Sequence, residues 1–280
     1  MRPRLLLFTK PAIPGRVKTR LAATIGRRRA ADLHRALVGD VTSKLRGQAS
    51  FDLELAWALD PDEAPPDWPE VRGLPWRPQN LGDLGDRLFV ALHEAAAAGA
   101  PVAAVGSDHP EVSAADVELA FSWLGDYGLD VPGFDDQRLD ADGASDHPGR
   151  ADLVIGPAVD GGYFLIALRA PCVHRRLFEG IDWSTEHVRA QTLERAAELG
   201  FRVVELAPGH DIDREADLRR LAARLDAGTA SCERTHRLLL EWGWLQSSPV
   251  EGRSGEGRGE GRSGEGPDRE LAGESAPCES

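Results

Sequence analysis

At 280 residues, with 41% hydrophobic and 28% charged side chains, the chain is long and apolar enough to bury a substantial core. A formal net charge of −13 argues against a nucleic-acid partner and against docking on an anionic membrane, since both need a net basic face. Three cysteines (Cys172, Cys232 and Cys278) without CxxC spacing argue against a disulfide framework or a cysteine zinc site, and fit a reducing, cytoplasmic compartment.

The apolar run Leu5–Phe8 is too short for a secretion signal or a membrane span and predicts a strand over Arg4–Thr9. Helical patterns follow at Arg16–Thr24 and Arg28–Leu45, the second with Leu33, Leu37, Val41 and Leu45 on one face. Phe51–Leu59 alternates as a strand, a Pro-rich acidic loop runs to Pro69, and Leu84–Ala98 is helical. Pro101–Gly106 is a small buried strand, and Ser113 caps a helix reaching Leu124. Strands are predicted at Asp152–Ile155 and Tyr163–Leu168. A helix follows over Thr185–Leu199, capped by Ser184 or Thr185, then a strand over Phe201–Leu206 and a helix over Arg214–Leu225. Trp183 is expected in the core, and Trp242 and Trp244 are expected to pack a C-terminal helix onto the domain.

Strand–helix alternation at this spacing predicts a three-layer α/β/α sandwich with a mostly parallel sheet, in one domain over residues 1–246. Two segments fall outside the pattern. Asp126–Arg150 carries seven aspartates and few apolar residues, as a surface insertion would. Residues 247–280 are a Gly/Glu/Arg-rich tract that cannot build a core and read as a disordered tail.

Charge is uneven along the chain. Met1 to Ala31 holds nine Lys or Arg residues and no acid, which in so acidic a protein is either a solvated face or a cradle for a small polyanion. The first strand runs into Lys10-Pro-Ala-Ile-Pro-Gly-Arg-Val-Lys-Thr-Arg20. In open α/β sheets, ligands bind beyond the carboxyl ends of the strands, and the loop after the first strand commonly holds phosphate. Gly15 lets the backbone approach an anion, the next helix offers its N-terminus, and Lys10, Arg16, Lys18 and Arg20 supply donors. This loop has neither GxGxxG nor GxxxxGK spacing.

Asp108 ends the apolar strand Val102–Gly106, at the sheet edge where the basic loop lies. Alone it would be a turn or cap residue, but beside a bound diphosphate it would hold Mg²⁺ or Mn²⁺. Asp160-Gly161-Gly162 lies between two apolar runs, so it is a hairpin turn, a ligand contact with Asp160 as general base, or both. Asp213 opens a helix as an N-cap or as a second metal carboxylate. The eight histidines have no HxH or HxxxH pairing, and there is no GxSxG elbow.

Taken in order, FTKPAIPGRVKTRL, LGDLGDRL, GSDHP, GPAVDGGYFLIAL, IDWSTEHV and DIDREADL resemble the selenodomain-associated transferase group. That group is a domain family of unknown function within the nucleotide-diphospho-sugar transferases, with the glycosyltransferase-A fold. The resemblance covers about residues 4–225, apart from the acidic insertion. It implies phosphate-loop roles for Lys10, Gly15, Lys18 and Arg20. It also implies base and ribose contacts near Gln79, Gly82, Asp83 and Arg87, a metal-binding Asp108, and a second metal ligand at Asp213 or Asp211. His109 stands where many members carry Cys, and Arg214 replaces a usual Thr. Fold relatives include nucleotidyltransferases, so three functions are expected in turn. The first is metal-dependent glycosyl transfer from a nucleotide sugar to a small acceptor. The others are nucleotidyl transfer from a triphosphate to a phosphorylated small molecule, and nucleotide binding without catalysis.

Overall fold

Strands whose side chains are nearly all apolar are stable only where both faces of the sheet are covered. Three such strands form the middle of this protein, described by a computed structural model over residues 1–125 and 151–245. The predicted insertion at 126–150 and the tail at 247–280 lie outside the described residues. In chain order the strands are β1 (Arg4–Thr9), β2 (Asp52–Trp57), β3 (Trp76–Pro78), β4 (Val102–Gly106), β5 (Leu153–Pro157), β6 (Tyr163–Leu168) and β7 (Val203–Glu205). They form one seven-stranded sheet in the order β3-β2-β1-β4-β6-β5-β7. β6 runs antiparallel to both β4 and β5, and every other pairing is parallel.

Alternate residues of the central strands feed two cores. Leu5, Leu7, Ala103, Val105, Val154, Leu165 and Ala167 pack against α2 (Arg27–Leu45) and α4 (Ala114–Leu124). Leu6, Val102, Ala104, Ile155, Ile166 and Leu168 pack on the other face against α3 (Leu84–Ala96) and α5 (Val188–Glu198). The three-layer sandwich and mostly parallel sheet are as predicted. A third cluster joins the outer side of α2 to α1 (Thr19–Ile25), α6 (Glu215–Asp226) and α7 (Glu233–Glu241), through Leu21, Leu33, Leu37, Leu221 and Leu239. Trp242 and Trp244 pack on this cluster as expected, under Arg29 and Arg219 respectively. Among the described residues, no helix is long and apolar enough to cross a membrane.

Several predicted boundaries shift for identifiable reasons. α1 begins at Thr19 rather than Arg16, because Gly15 (φ 86°) and Lys18 (φ 47°) adopt left-handed backbone that cannot enter a helix. α5 begins at Val188 rather than Thr185. Ser184 is left-handed (φ 68°), and Thr185 Oγ1 donates to Asp182 O and accepts from His187 N–H, which closes a turn ahead of the helix. His187, not Ser184 or Thr185, occupies the cap position. Asp213 is not the N-cap of α6: Arg214 is, and its backbone N–H donates to Asp217 at 2.8 Å. Strand β3, not predicted, is three residues long and ends in proline. It is held to β2 by Arg77, which donates to both oxygens of the buried Glu54 at 2.7 and 2.9 Å. Ser113 caps α4 as predicted, in a reciprocal pair with Asp116.

The C-terminal helix depends on one buried carboxylate. Asp40, inside α2, accepts from the Arg234 and Thr235 backbone N–H groups at 2.8 and 2.9 Å and from the Thr235 hydroxyl at 2.7 Å. It thereby satisfies the donors at the start of α7. Asp40→Ala strands three buried donors and should cost about 3 kcal/mol, read as a lower urea midpoint. Asp40→Asn keeps an acceptor oxygen and should recover part of that loss.

Candidate active site

The topology brings four separate segments to one edge of the sheet. β1, β4 and β5 all end there, and antiparallel β6 begins there. The loop after β1, the Ser107–Pro110 segment, the Asp160–Gly162 turn and the stretch after β7 therefore converge. Backbone bonds fix them to one another. Ser107 N–H donates to Phe8 O, Ile212 N–H to Asp108 O at 2.9 Å, and Val159 N–H to Gly209 O at 3.1 Å. The Asp160–Gly162 turn joins β5 to β6 as a hairpin, as predicted, and the Asp160 carboxylate accepts from Gly162 N–H at 3.0 Å.

Between these segments lies a cavity of about 630 Å³, lined by residues of all four. At its centre the Lys18 ammonium lies 2.7 Å from Asp108 Oδ1 and 3.0 Å from Asp213 Oδ1. The Lys18 side chain is 2% exposed, whereas the Asp108 carboxylate is 45% exposed to the cleft. Burial works against charge on both, but each charge outweighs that effect on its partner. The Lys18 pKa lies above its ordinary value and the Asp108 pKa below, so both are ionised at neutral pH.

Lys10, Arg20 and Arg214 also line the cleft, and none has an ion-pair partner among the described residues. Arg16, expected to join them, instead pairs with Asp60 outside the cleft and lies 4.0 Å from Glu63. Gly15 supports the turn but is not a cleft residue. The Gln79 amide is taken up by the Thr9 and Ala56 carbonyls at 3.2 and 2.8 Å, which braces the ends of β1 and β2. Arg87 donates to the Asp83 carbonyl at 3.1 Å, Gly82 packs against Asp86, and neither lines the cleft. Asp83 caps α3. Asp160 and Gly162 line the cleft, while Gly161 (φ 92°) lies behind them, where a Cβ would collide with the Glu186 carbonyl.

The two departures from the resembled pattern both have structural places. The buried His109 ring packs 4.3 Å from Phe164, and its Nδ1 lies 3.0 Å from His210 O and 3.1 Å from His210 N. Burial holds its pKa below the ordinary value. Arg214 caps α6 through its backbone and leaves its side chain in the cleft.

His34 belongs to no motif, yet it is central. It is 2% exposed, and its Nε2–H donates to the Lys10 carbonyl at 3.0 Å, which ties the basic loop to α2. The carbonyl can only accept, so Nδ1 carries the lone pair; it has no partner and lies 3.9 Å from Asp108 Oδ1. Burial first, and then the Lys18 and Lys10 charges, push its pKa down to about 4 against the pull of Asp108, so the ring is neutral. Its neighbours Leu33 and Leu37 announce a buried helix face, but nothing local identifies the Lys10 carbonyl. Trp183, expected in the core, is only partly buried. One edge packs on α3, where a Cβ on Gly85 would lie 2.7 Å from the indole nitrogen, and the residue lines the cleft.

Asp211 is short of positive charge. Its Oδ1 is buried without a partner, and burial followed by the Asp108, Asp160 and Asp213 charges pushes its pKa up from 3.8 to about 7, against the pull of Lys18. Among the described residues, no group of three or more His, Cys, Asp or Glu side chains is arranged to hold a metal. The folded state keeps a proton on Asp211 that the unfolded chain releases. Ionising it therefore costs stability, beginning near pH 4 and complete above about pH 7. Asp211→Asn in chelator-treated protein should be the more stable form at pH 8, by up to about 4 kcal/mol, with the gap narrowing towards pH 5. Urea unfolding at the two pH values measures this, and equal stabilities at pH 8 would overturn the assignment.

The family described as "Uncharacterized protein conserved in bacteria (DUF2064)" matches residues 41–185. A crystal structure from Desulfovibrio desulfuricans G20, of a protein assigned by inference to the nucleotide-diphospho-sugar transferases, is similar at TM-score 0.69 and 28% identity. The match covers 86% of this chain and 95% of that one. A cytidylyltransferase from Leptospira borgpetersenii serovar Hardjo-bovis aligns at TM-score 0.47 and 11% identity, over 89% of this chain and 99% of that one. No curated protein matches the chain. The chain belongs to the DUF2064 family and has the nucleotide-diphospho-sugar transferase fold.

Proposed function

We propose that the protein is a metal-dependent glycosyltransferase, transferring a sugar from a nucleotide-sugar donor to a hydroxyl of a small acceptor. The observation that carries this reading is the polarity of the cleft. The cations without ion-pair partners, Lys10, Arg20 and Arg214, gather around the loop after β1 and the start of α6. The Asp160 carboxylate, bonded to Gly162 N–H and without an ion-pair partner among the described residues, lies at the β5–β6 turn. Asp108, between them in the sheet order, separates an anion-holding end from an end that can accept a proton. The similarity to the Desulfovibrio protein supports the transferase class and a nucleotide-diphosphate ligand.

Lys10, Arg20 and Arg214 hold the diphosphate by charge-assisted hydrogen bonds, and His34 keeps Lys10 in register. The acceptor hydroxyl oxygen bonds to the anomeric carbon of the donor and gives its proton to Asp160. The bond from that carbon to the diphosphate oxygen breaks, and its electron pair leaves on the diphosphate. Carboxylate oxygens are the donors a hard divalent cation takes, although no three of these side chains are arranged as a ready-made site. Asp108 and Asp213 meet on one ammonium, and Asp211, which feels both of their charges, keeps one buried oxygen without a partner. Asp108 and Asp213 would hold Mg²⁺ or Mn²⁺, with Asp211 beside them. The cation supplies charge neutralisation of the diphosphate leaving group. Non-catalytic nucleotide binding is less well supported, because the substitutions that suggested it, His109 and Arg214, have packing and capping roles.

Turnover of a nucleotide-sugar panel with Mg²⁺ or Mn²⁺, followed by release of nucleoside diphosphate, tests the reading. Asp108→Ala should lower turnover by about 10²-fold or more, and should also lower the melting temperature, because it strips the buried Lys18 ammonium of its nearer counter-charge. Asp160→Asn should lower kcat by about 10²-fold with the donor KM held. Pyrophosphate release from a nucleoside triphosphate, with no nucleotide sugar turned over, would favour nucleotidyl transfer instead.

A further inference from the structure

The wall of the cleft beyond Asp160 is built by the segment before α5. Trp183, Ser184, Thr185, Glu186 and Val188 line it, and Leu84 and Tyr163 complete an apolar patch beside the indole. This segment is firmly held. The Gln191 side chain clasps Asp182, accepting from its backbone N–H at 2.8 Å and donating to its carboxylate at 2.7 Å. Thr185 Oγ1 donates to Asp182 O at 2.7 Å, and Arg189 N–H donates to Gly161 O at 2.9 Å, docking the segment on the Asp160 turn. Gly161 lets the two backbones meet. The wall is thus a fixed surface rather than a loose loop.

Its chemistry is one-sided. Glu186 has no ion-pair partner among the described residues, and Asp160 is bonded only to its own turn. His187 belongs to this segment and is exposed, but it is not among the cleft-lining residues, and no Lys or Arg among the described residues lines the wall. Every cationic or imidazole side chain of the cleft lies in the loop after β1, in α1 and α2, or at the start of α6. A phosphorylated second substrate placed here would meet two carboxylates and no cation, a repulsion worth orders of magnitude in affinity. A ring carrying hydroxyls fits the same surface. Its C–H face can lie on the partly buried indole, and its hydroxyls can donate to Asp160 and Glu186.

We infer that the pocket between the Asp160 turn and the Trp183–Val188 wall is the acceptor subsite, and that it takes an unphosphorylated, polyhydroxylated ring compound, neutral or amine-bearing. The inference rests on the glycosyl-transfer reading and narrows it, because it assigns the acceptor rather than the donor. The acceptor hydroxyl bonds to the anomeric carbon as that carbon's bond to the diphosphate breaks, and the hydroxyl proton goes to Asp160. Glu186, one wall residue further on, orients the ring through its other hydroxyls or an ammonium.

The test uses the full chain with Mn²⁺. Nucleoside diphosphate release from a nucleotide-sugar panel is measured alone and with three acceptor pools: neutral sugars and cyclitols, amino sugars, and sugar phosphates. The first or second pool should stimulate release about tenfold or more over hydrolysis, and the third should not. Glu186 is exposed, so Glu186→Lys should fold; it should raise the KM for the stimulating pool about tenfold, equivalent to ~1.4 kcal/mol. The melting shift given by nucleoside diphosphates should be unchanged. Stimulation by sugar phosphates alone, or an acceptor KM indifferent to Glu186→Lys, would overturn the inference while the nucleotide shift left the donor reading standing. Absence of any nucleotide-induced shift would overturn both.

Discussion

The buried ammonium of Lys18 is the contact on which the rest of the site depends. A cation taken out of water is tolerated only when opposite charges and hydrogen bonds replace its hydration. Lys18 finds both in Asp108, at the end of β4, and in Asp213, 195 positions away along the chain. The bridge therefore ties the loop after β1 to the middle of the sheet and to the start of α6. Lys18 makes these contacts from left-handed backbone (φ 47°), a strained conformation that its two buried ion pairs help to hold.

Once Lys18 is committed to two carboxylates, the remaining charges sort themselves. Arg16 lies outside the cleft with Asp60, so the cations left for a ligand are Lys10, Arg20 and Arg214. His34, kept neutral by burial and by the lysines around it, adds position without charge. The carboxylates, by contrast, exceed what one ammonium can balance; burial first, and then the neighbouring carboxylates, raise the Asp211 pKa to about 7. A cleft with surplus cations at one end, crowded carboxylates at the centre and a fixed, partly apolar wall at the other has the polarity that transfer from a diphosphate to a hydroxyl requires.

Much of this was legible in the sequence because it is written locally. β1, β4 and β6 are apolar runs bounded by Gly, Pro or charge, α4 carries its capping pair, and α2 shows its face through Leu33, Leu37, Val41 and Leu45. The convergence of Lys10, Asp108 and Asp160 follows from topology, since each lies just beyond or just before a strand at the same edge, while Lys18 and Asp213 reach it from longer loops. What could not be read depends on partners distant in sequence or on backbone that residue type does not announce. Left-handed Lys18 and Ser184 are not glycines, and Thr185 closes a turn of its own, so the starts of α1 and α5 were placed three residues early. Arg16 looked like a phosphate ligand because Asp60 is 44 positions away. Gln79 looked like a base contact because its amide is taken up by carbonyls of two other strands. His34 has no motif, only a place between the Lys10 carbonyl and Asp108.

The most direct measurement of the central claim is the melting temperature with nucleoside diphosphates and Mn²⁺, for the wild type and for an Arg20→Ala/Arg214→Ala double variant. The account predicts that at least one diphosphate stabilises the wild type by about 2.7 kcal/mol at a hundredfold excess over Kd. It also predicts that this gain is largely lost in the double variant while the ligand-free melting temperature stays close to wild type, since both side chains are exposed. A wild type that no diphosphate stabilises, or a gain that survives the loss of both arginines, would contradict it.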